Sequence, residues 1–331
     1  MSKFADILDS SADLDFRPVW KRSLPISAAI AGISIILLVF LGLNASIDFK
    51  GGGIFEVPVA AGTATEDVRG AISIADAQVQ ISEAAGGKTY ATVSVTTEEL
   101  NEAGSIVTDL SNFAGVPTDE VTSSTIGPSW GDQVTKKAFE ALFFFFIAVA
   151  IYLAWTLEPL MAVGALIAVV HDIAITAGIY SLFRFEVSPA TVIALLTILG
   201  YSLYDTVVVY DKVLENVGSN TSKTKSYSDI VNDAMNLVLV RSINTTVTTV
   251  LPVASMLIVG SLLLGGATLR DFSLALFIGL FLGTYSSVFV AAPALVHLHR
   301  WQDKRTGGDS TVAKKKTKHR DSLKEQARLV K

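Results

Sequence analysis

Four ionisable side chains stand in stretches of this sequence that are otherwise apolar. His171 and Asp172 interrupt an apolar segment at its middle, Asp205 sits in GYSLYDTVVVYDK (200–212), and Arg241 opens RSINTTVTTVLP (241–252). An ionisable group held away from water is costly and by default marks function. A carboxylate or an imidazole gains and loses a proton near neutral pH when its surroundings allow, whereas a guanidinium stays charged. The chemistry open to this set is therefore proton uptake and release beside a fixed positive charge. Other chemistries lack their residues. There is no cysteine, so thiolate metal sites, disulfides and cysteine nucleophiles are excluded. The four histidines show no metal-ligand spacing, and no GxSxG, GxxxxGK[ST] or GxGxxG occurs. The expectation is no enzyme, no cofactor and no metal.

The elements that must position these groups are membrane helices. Of the 331 residues 50% are hydrophobic and only 17% charged, with mean hydropathy +0.50; a soluble domain carries about 25% charge. A spanning helix needs about 20 mostly apolar residues. Charge-free or nearly charge-free stretches predict six spans, at 24–43, 138–156, 159–182, 188–211, 237–260 and 271–296. The first is too long for a cleaved signal and has no A-x-A-like site after it. The fourth and fifth spans are antiparallel neighbours, so Asp205 and Arg241 fall at similar depth and could pair, with Ser202, Asn244 and Thr245 completing a polar seam. His171 and Asp172 in the third span are candidates for the same seam. The plainer reading is a buried pair that only fixes helix register.

Charge is unevenly distributed. Residues 48–134 hold 13 Asp/Glu against 3 Lys/Arg, and residues 297–331 hold 11 Lys/Arg against 4 Asp/Glu. Lys3, Arg17, Lys21 and Arg22 before the first span, Lys212, Lys223 and Lys225 after the fourth, and the basic C-terminal tail share one side, which the positive-inside rule makes the cytoplasm. The expected organisation is a cytoplasmic tail (1–23), a first span (24–43), an exported acidic domain (48–134), five further spans (138–296) and a basic cytoplasmic tail (297–331). That tail, with Lys314, Lys315, Lys316, Lys318 and Arg320, reads as lying against anionic lipid rather than nucleic acid.

Within the exported segment, strands are expected at Ile54–Val57, Gln78–Ser82, Thr89–Val95 and Glu120–Ile126. Helices are expected over 65–75 and from a Thr96/Glu99 capping box to Phe113, with a hairpin at Gly86-Gly87. The order is βαββαβ, a ferredoxin-like α+β arrangement. Gly51-Gly52-Gly53 reads as a flexible hinge below it.

Four ordered motifs resemble the SecF family, the smaller membrane subunits of bacterial SecD–SecF export complexes in the resistance–nodulation–division superfamily. They are IDFKGGG (47–53), IGPSWGDQV (126–134), LLTILGYSLYDTVVVYDKVLEN (195–216) and RSINTTVTTVLP. The resemblance covers roughly residues 24–300. It implies a multi-pass protein of the bacterial cytoplasmic membrane, a SecD-like partner and work beside the SecYEG channel. It also implies proton-motive force used to complete export of unfolded polypeptides. It places the family's coupling Asp and Arg at Asp205 and Arg241; Tyr204 stands where many relatives have Asn. The alternatives are a small-molecule exporter of the same superfamily or a passive scaffold that stabilises a channel.

Overall fold

The computed structural model describes residues 14–306 except 73, 75–76, 85–86, 219–224 and 261–266. Lys223, Gly86 of the expected hairpin and the basic run at 314–320 lie outside the described residues. Six helices are long and apolar enough to cross a membrane, and the chain is a multi-pass membrane protein. They are α1 (Arg17–Leu41), α5 (Pro128–Thr156), α6 (Pro159–Phe183), α7 (Pro189–Gly218), α8 (Tyr227–Ile258) and a composite last helix. That last helix comprises α9 (Ala267–Ser286), a π-helical turn (Ser287–Ala291) and α10 (Ala292–Thr306). Several begin earlier than the apolar stretches because polar residues cap them. At α8, Ser226 and Asp229 satisfy each other's backbone N–H groups in a capping box, so the helix starts ten residues before the apolar run.

The helices are not equal. About half of the most apolar windows of α6 and of the last helix is buried, against 11% for α1, α5 and α8. Small residues set the approach of the inner helices. A Cβ on Gly178 of α6 would lie 2.3 Å from Ser34 Cβ of α1, and one on Gly283 of α9 would lie 2.9 Å from Ser202 Cβ of α7. In hydrocarbon, where burying apolar surface between helices adds little, such close contact is what holds helices together. The N-terminal segment is also tied in, because Asn232 and Asn236 of α8 accept the backbone N–H groups of Phe16 and Leu14.

Between α1 and α5 lies a small sheet domain. Its elements are β2 (Gly52–Val59), α3 (Thr65–Ala71), β3 (Gln78–Ala84), β4 (Lys88–Thr96), α4 (Ala103–Ala114) and β5 (Thr122–Ile126). The four strands lie in the order β3-β4-β2-β5, every pair antiparallel. Alternation along β4 puts Ala91, Val93 and Val95 inward on Phe55, Val57, Val68, Ile106 and Leu110, all nearly or completely buried. Two short strands, β1 (Asn44–Ala45) and β6 (Glu186–Val187), pair in parallel where the domain meets the ends of α1 and α6, and a one-turn helix, α2 (Ile47–Lys50), follows β1.

Three local expectations need correction. The helix expected over 65–75 ends at Ala71, where Ile72 turns extended after Gly70. The one expected from Thr96 opens as a 3₁₀ turn (Glu98–Glu102), although Glu99 does reach back to the Thr96 N–H at 2.8 Å. The glycine run is no hinge. Gly52 and Gly53 are buried ladder residues of β2, paired with β4 and β5. Gly52 has φ +148°, and a Cβ there would stand 2.1 Å from the Val95 carbonyl oxygen, so glycine is required for close strand approach.

Candidate functional site

The side chains at issue lie on α6, α7, α8 and α9. Asp205 points from α7 to α8, where the Ser242 hydroxyl donates to it, 2.9 Å from Oδ1 and 2.8 Å from Oδ2. The Ser287 hydroxyl of the π turn is spent on its own helix, donating to the Gly283 carbonyl at 2.6 Å, so the Asp205 carboxylate bridges α7 and α8. Arg241 is the residue before Ser242, yet it does not pair with Asp205 as depth alone suggested. Its guanidinium donates to the Tyr204 hydroxyl at 2.6 Å and lies 5.8 Å from the centre of that ring. The physical reason is helical rotation. Adjacent residues differ by about 100° around the axis, so α8 turns Ser242 inward and leaves Arg241 on the outer face. Its charge is still felt at the carboxylate.

The expected seam is partly displaced for the same reason. Asn244 is exposed, and the Thr245 hydroxyl is spent on its own helix, donating to the Arg241 and Ser242 carbonyls. Ser242 and Thr246 take their place, the latter sharing a hydrogen bond of 2.8 Å with Thr284 of α9. Ser202 is buried as expected but serves another carboxylate. It donates to Asp172 Oδ2 at 2.6 Å, Ser286 donates to the same oxygen at 2.8 Å, and His171 Nδ1 lies 3.1 Å from Oδ1. Reading the sequence missed Ser242 and Ser286. For Ser242 a signal existed, because it repeats with Thr246 and Thr249 at helical spacing on one face. Ser286 sits in an apolar run, where serine commonly bonds its own helix, as its neighbour Ser287 does.

A second cluster stands at the other end of these helices, under the sheet domain. Gln80 of β3 donates to Glu186 at 2.8 Å and accepts from Arg270 of α9 at 2.9 Å. Gln78 donates to Asn44 at 2.8 Å. Arg270 in turn lies 3.3 Å from Asp271. Burial pushes the Glu186 carboxyl above the usual carboxylate range, helped by the negative charge of Asp271. Among the described residues no group of acidic and histidine side chains is arranged to hold a metal ion.

A protein of this build is a polytopic membrane protein with buried carboxylates between packed helices and an α+β domain inserted after its first span. Residues 107–301 match the family model "Protein export membrane protein SecD/SecF, C-terminal". The chain is 41% identical over 291 residues to the protein translocase subunit SecF of Streptomyces coelicolor, covering 85% of this chain and 75% of that one. It is 39% identical over 297 residues to SecF of Mycobacterium tuberculosis, covering 86% and 67%. The crystal structure of SecDF from Thermus thermophilus, described as a translocon-associated membrane protein, superposes with a TM-score of 0.72 at 28% identity. That match covers 88% of this chain and 39% of the longer SecDF chain. The chain belongs to the SecD/SecF family of protein export membrane proteins.

Proposed function

We propose that this chain is a SecF-type auxiliary subunit of the Sec protein translocase, without covalent catalysis. It draws on the proton-motive force to help complete export of unfolded polypeptides across the bacterial cytoplasmic membrane. Both termini are cytoplasmic and residues 48–134 lie outside. The inserted domain, with strand order β3-β4-β2-β5 and a helix after its first and third strands, is ferredoxin-like. The translocase subunits to which the chain is similar support the role, and the grip of Ser242 on Asp205 between α8 and α7 supports the coupling.

The carrying observation is that the Asp205 carboxylate of α7 holds the Ser242 hydroxyl of α8 with both of its oxygens. Protonation removes its charge, weakening the Ser242 hydrogen bond and the attraction of Arg241, since bonds to charged groups are roughly twice as strong as neutral ones. Moving one elementary charge through the membrane potential yields about 2.3 kcal/mol per 100 mV. That is enough to bias two helix arrangements differing by a few kcal/mol. The last helix carries the change to the sheet domain through Arg270 and Gln80.

A SecD-like partner follows from the outer face of α7 and α8. Tyr204 is 57% exposed, and Arg241, Asn244 and Thr248 are exposed beside it. A guanidinium and amides facing hydrocarbon are costly, so a second membrane subunit covers them. The SecYEG channel and the exported chain are the further partners of this reading.

The test is export into inverted membrane vesicles with and without an imposed proton gradient. Asp205→Asn should insert at normal levels and lose the gradient-dependent part, with Asp205→Glu partly active. Normal gradient-stimulated export by Asp205→Asn would make the carboxylate structural and end this reading.

A further inference from the structure

We propose that His171 and Asp172 form a second proton-binding site, placed in series with Asp205 and joined to it along α7, where the Ser202 that donates to Asp172 stands one turn before Asp205. This rests on the reading of Asp205 as a gradient-coupled carboxylate and adds a second carrier to it.

The Asp172 side chain is 1% exposed near the middle of α6. The two hydroxyls on Oδ2 orient it but bring no charge. A lone anion there would stand uncompensated, at an effective cost of several kcal/mol. The imidazole 3.1 Å away changes that balance. With one proton between them the pair is neutral overall, whether the proton sits on the ring or on the carboxyl. With none it is an anion and with two a cation, and apolar surroundings disfavour both. The pair therefore holds one proton at rest and exchanges it when a neighbour changes charge or the helices part. A purely structural contact between α6 and α7 would need only a neutral hydrogen-bonding residue in place of Asp172.

The groups facing the pair are few. On the last helix Tyr285 stacks on the imidazole, ring centres 6.3 Å apart. On α7 Asp205 stands one turn beyond Ser202, and on α8 Arg241 is turned to Tyr204. The facing residues of α1, Ser27 and Ser34, are uncharged.

The pair is connected on both sides. Toward Asp205 the link runs along α7, since Ser202 donates to Asp172 at 2.6 Å one turn before Asp205, and Ser286 of the last helix donates to the same Asp172 oxygen. Ser286 stands at the start of the π-helical turn, a rare geometry concentrated at functional sites. On the other side, His171 Nε2 is buried without a hydrogen-bond partner among the described residues. The ring lies on Tyr285, whose hydroxyl meets Ser27 at 2.8 Å. Tyr285 lines a groove of about 410 Å³ with Pro18, Arg22, Ser23 and Phe289. That groove lies toward the N-terminal end of α1, the side read as cytoplasmic, and gives the proton its way out.

Infrared difference spectra of the purified full-length chain across an acid titration test the site directly, because a protonated carboxyl has its own C=O stretch. Beside the bands of Glu186 and Asp271, the wild type should show one buried-carboxyl band that is lost in Asp172→Asn and another that is lost in Asp205→Asn. Gradient-dependent export should fall at least tenfold in Asp172→Asn. Ser286→Ala keeps both carboxyls and should keep both bands and its unfolding temperature while export falls severalfold. That variant carries the test if Asp172→Asn folds poorly. A band set in Asp172→Asn identical to the wild type's, or normal export by Ser286→Ala, overturns the proposal. Normal export by Asp205→Asn alone removes the coupling reading, and the Asp172 band still decides whether this site binds a proton.

Discussion

Arg270, at the sheet-domain end of the last membrane helix, donates a 2.9 Å hydrogen bond to Gln80, which lies on an edge strand of the inserted sheet. The same helix, four turns further on, presents Ser286 to the buried Asp172 carboxylate at 2.8 Å. One rigid element thus touches both the sheet domain and the polar centre. A helix transmits displacement along its axis, because its backbone hydrogen bonds run in that direction.

If that contact carries motion outward, Gln80→Ala and Arg270→Ala should each lower gradient-dependent export severalfold without removing the protein from the membrane. Their double variant should be little worse than either single one, giving a coupling of about 0.5–3 kcal/mol in a double-mutant cycle on export rate. Fully additive losses would show that the two residues act separately.

Glu186 makes stability depend on pH. Burial raises its carboxyl above the ordinary range, so in the window just above the unfolded value the folded chain binds more protons than the unfolded chain. By linkage, stability should be greatest below that window and fall as pH rises through the raised value. Glu186→Gln keeps an oxygen for Gln80 and should flatten that part of the slope. Unfolding temperature in detergent between acidic and neutral pH measures it, and an unchanged slope would count against the assignment.

Two glycines separate rigid from yielding contacts. Gly178→Ala sets a Cβ 2.3 Å from Ser34 Cβ and 2.7 Å from its Cα, where only a backbone shift helps. Gly279→Ala meets Cδ1, Cγ2 and Cγ1 of Ile198 at 2.2–2.7 Å, all side-chain atoms, so repacking at Ile198 helps without a backbone shift. The first should cost about 1–3 kcal/mol by overpacking and the second clearly less. Comparing their unfolding temperatures with wild type tests the order.

At Arg241 the structure predicts a graded series. Tyr204→Phe removes the hydroxyl that accepts from the guanidinium but keeps the ring beneath it, and should lower export modestly. Arg241→Lys keeps the charge and loses the planar fork, and should cost more. Arg241→Met removes the charge felt at Asp205 and should be the most severe. Equal activity of the Met and Lys variants would remove charge from the explanation.

Sidedness is readily measured because the chain has no cysteine. Cysteine at Thr63 or Asn101 should react with an impermeant reagent added outside intact cells. Cysteine at Ser226 or Thr311 should react only after permeabilisation. The reverse pattern would invert the topology.

Composition and spacing alone determined that this chain carries six helices long and apolar enough to cross a membrane, that a small sheet unit stands between the first two, and which ionisable groups fall within the apolar stretches. Those properties are local, since apolar length follows from bilayer thickness and strand alternation from the period of two. Tertiary structure decided the partners. Asp205 takes Ser242 rather than Arg241 because a rotation of about 100° separates adjacent residues of α8. Asp172 gains Ser286 from a residue 114 positions away. Gly52 is a strand residue rather than a hinge because Val95 packs against it. Each of these outcomes depends on where a second helix or strand lies, and no periodicity within one segment encodes that position.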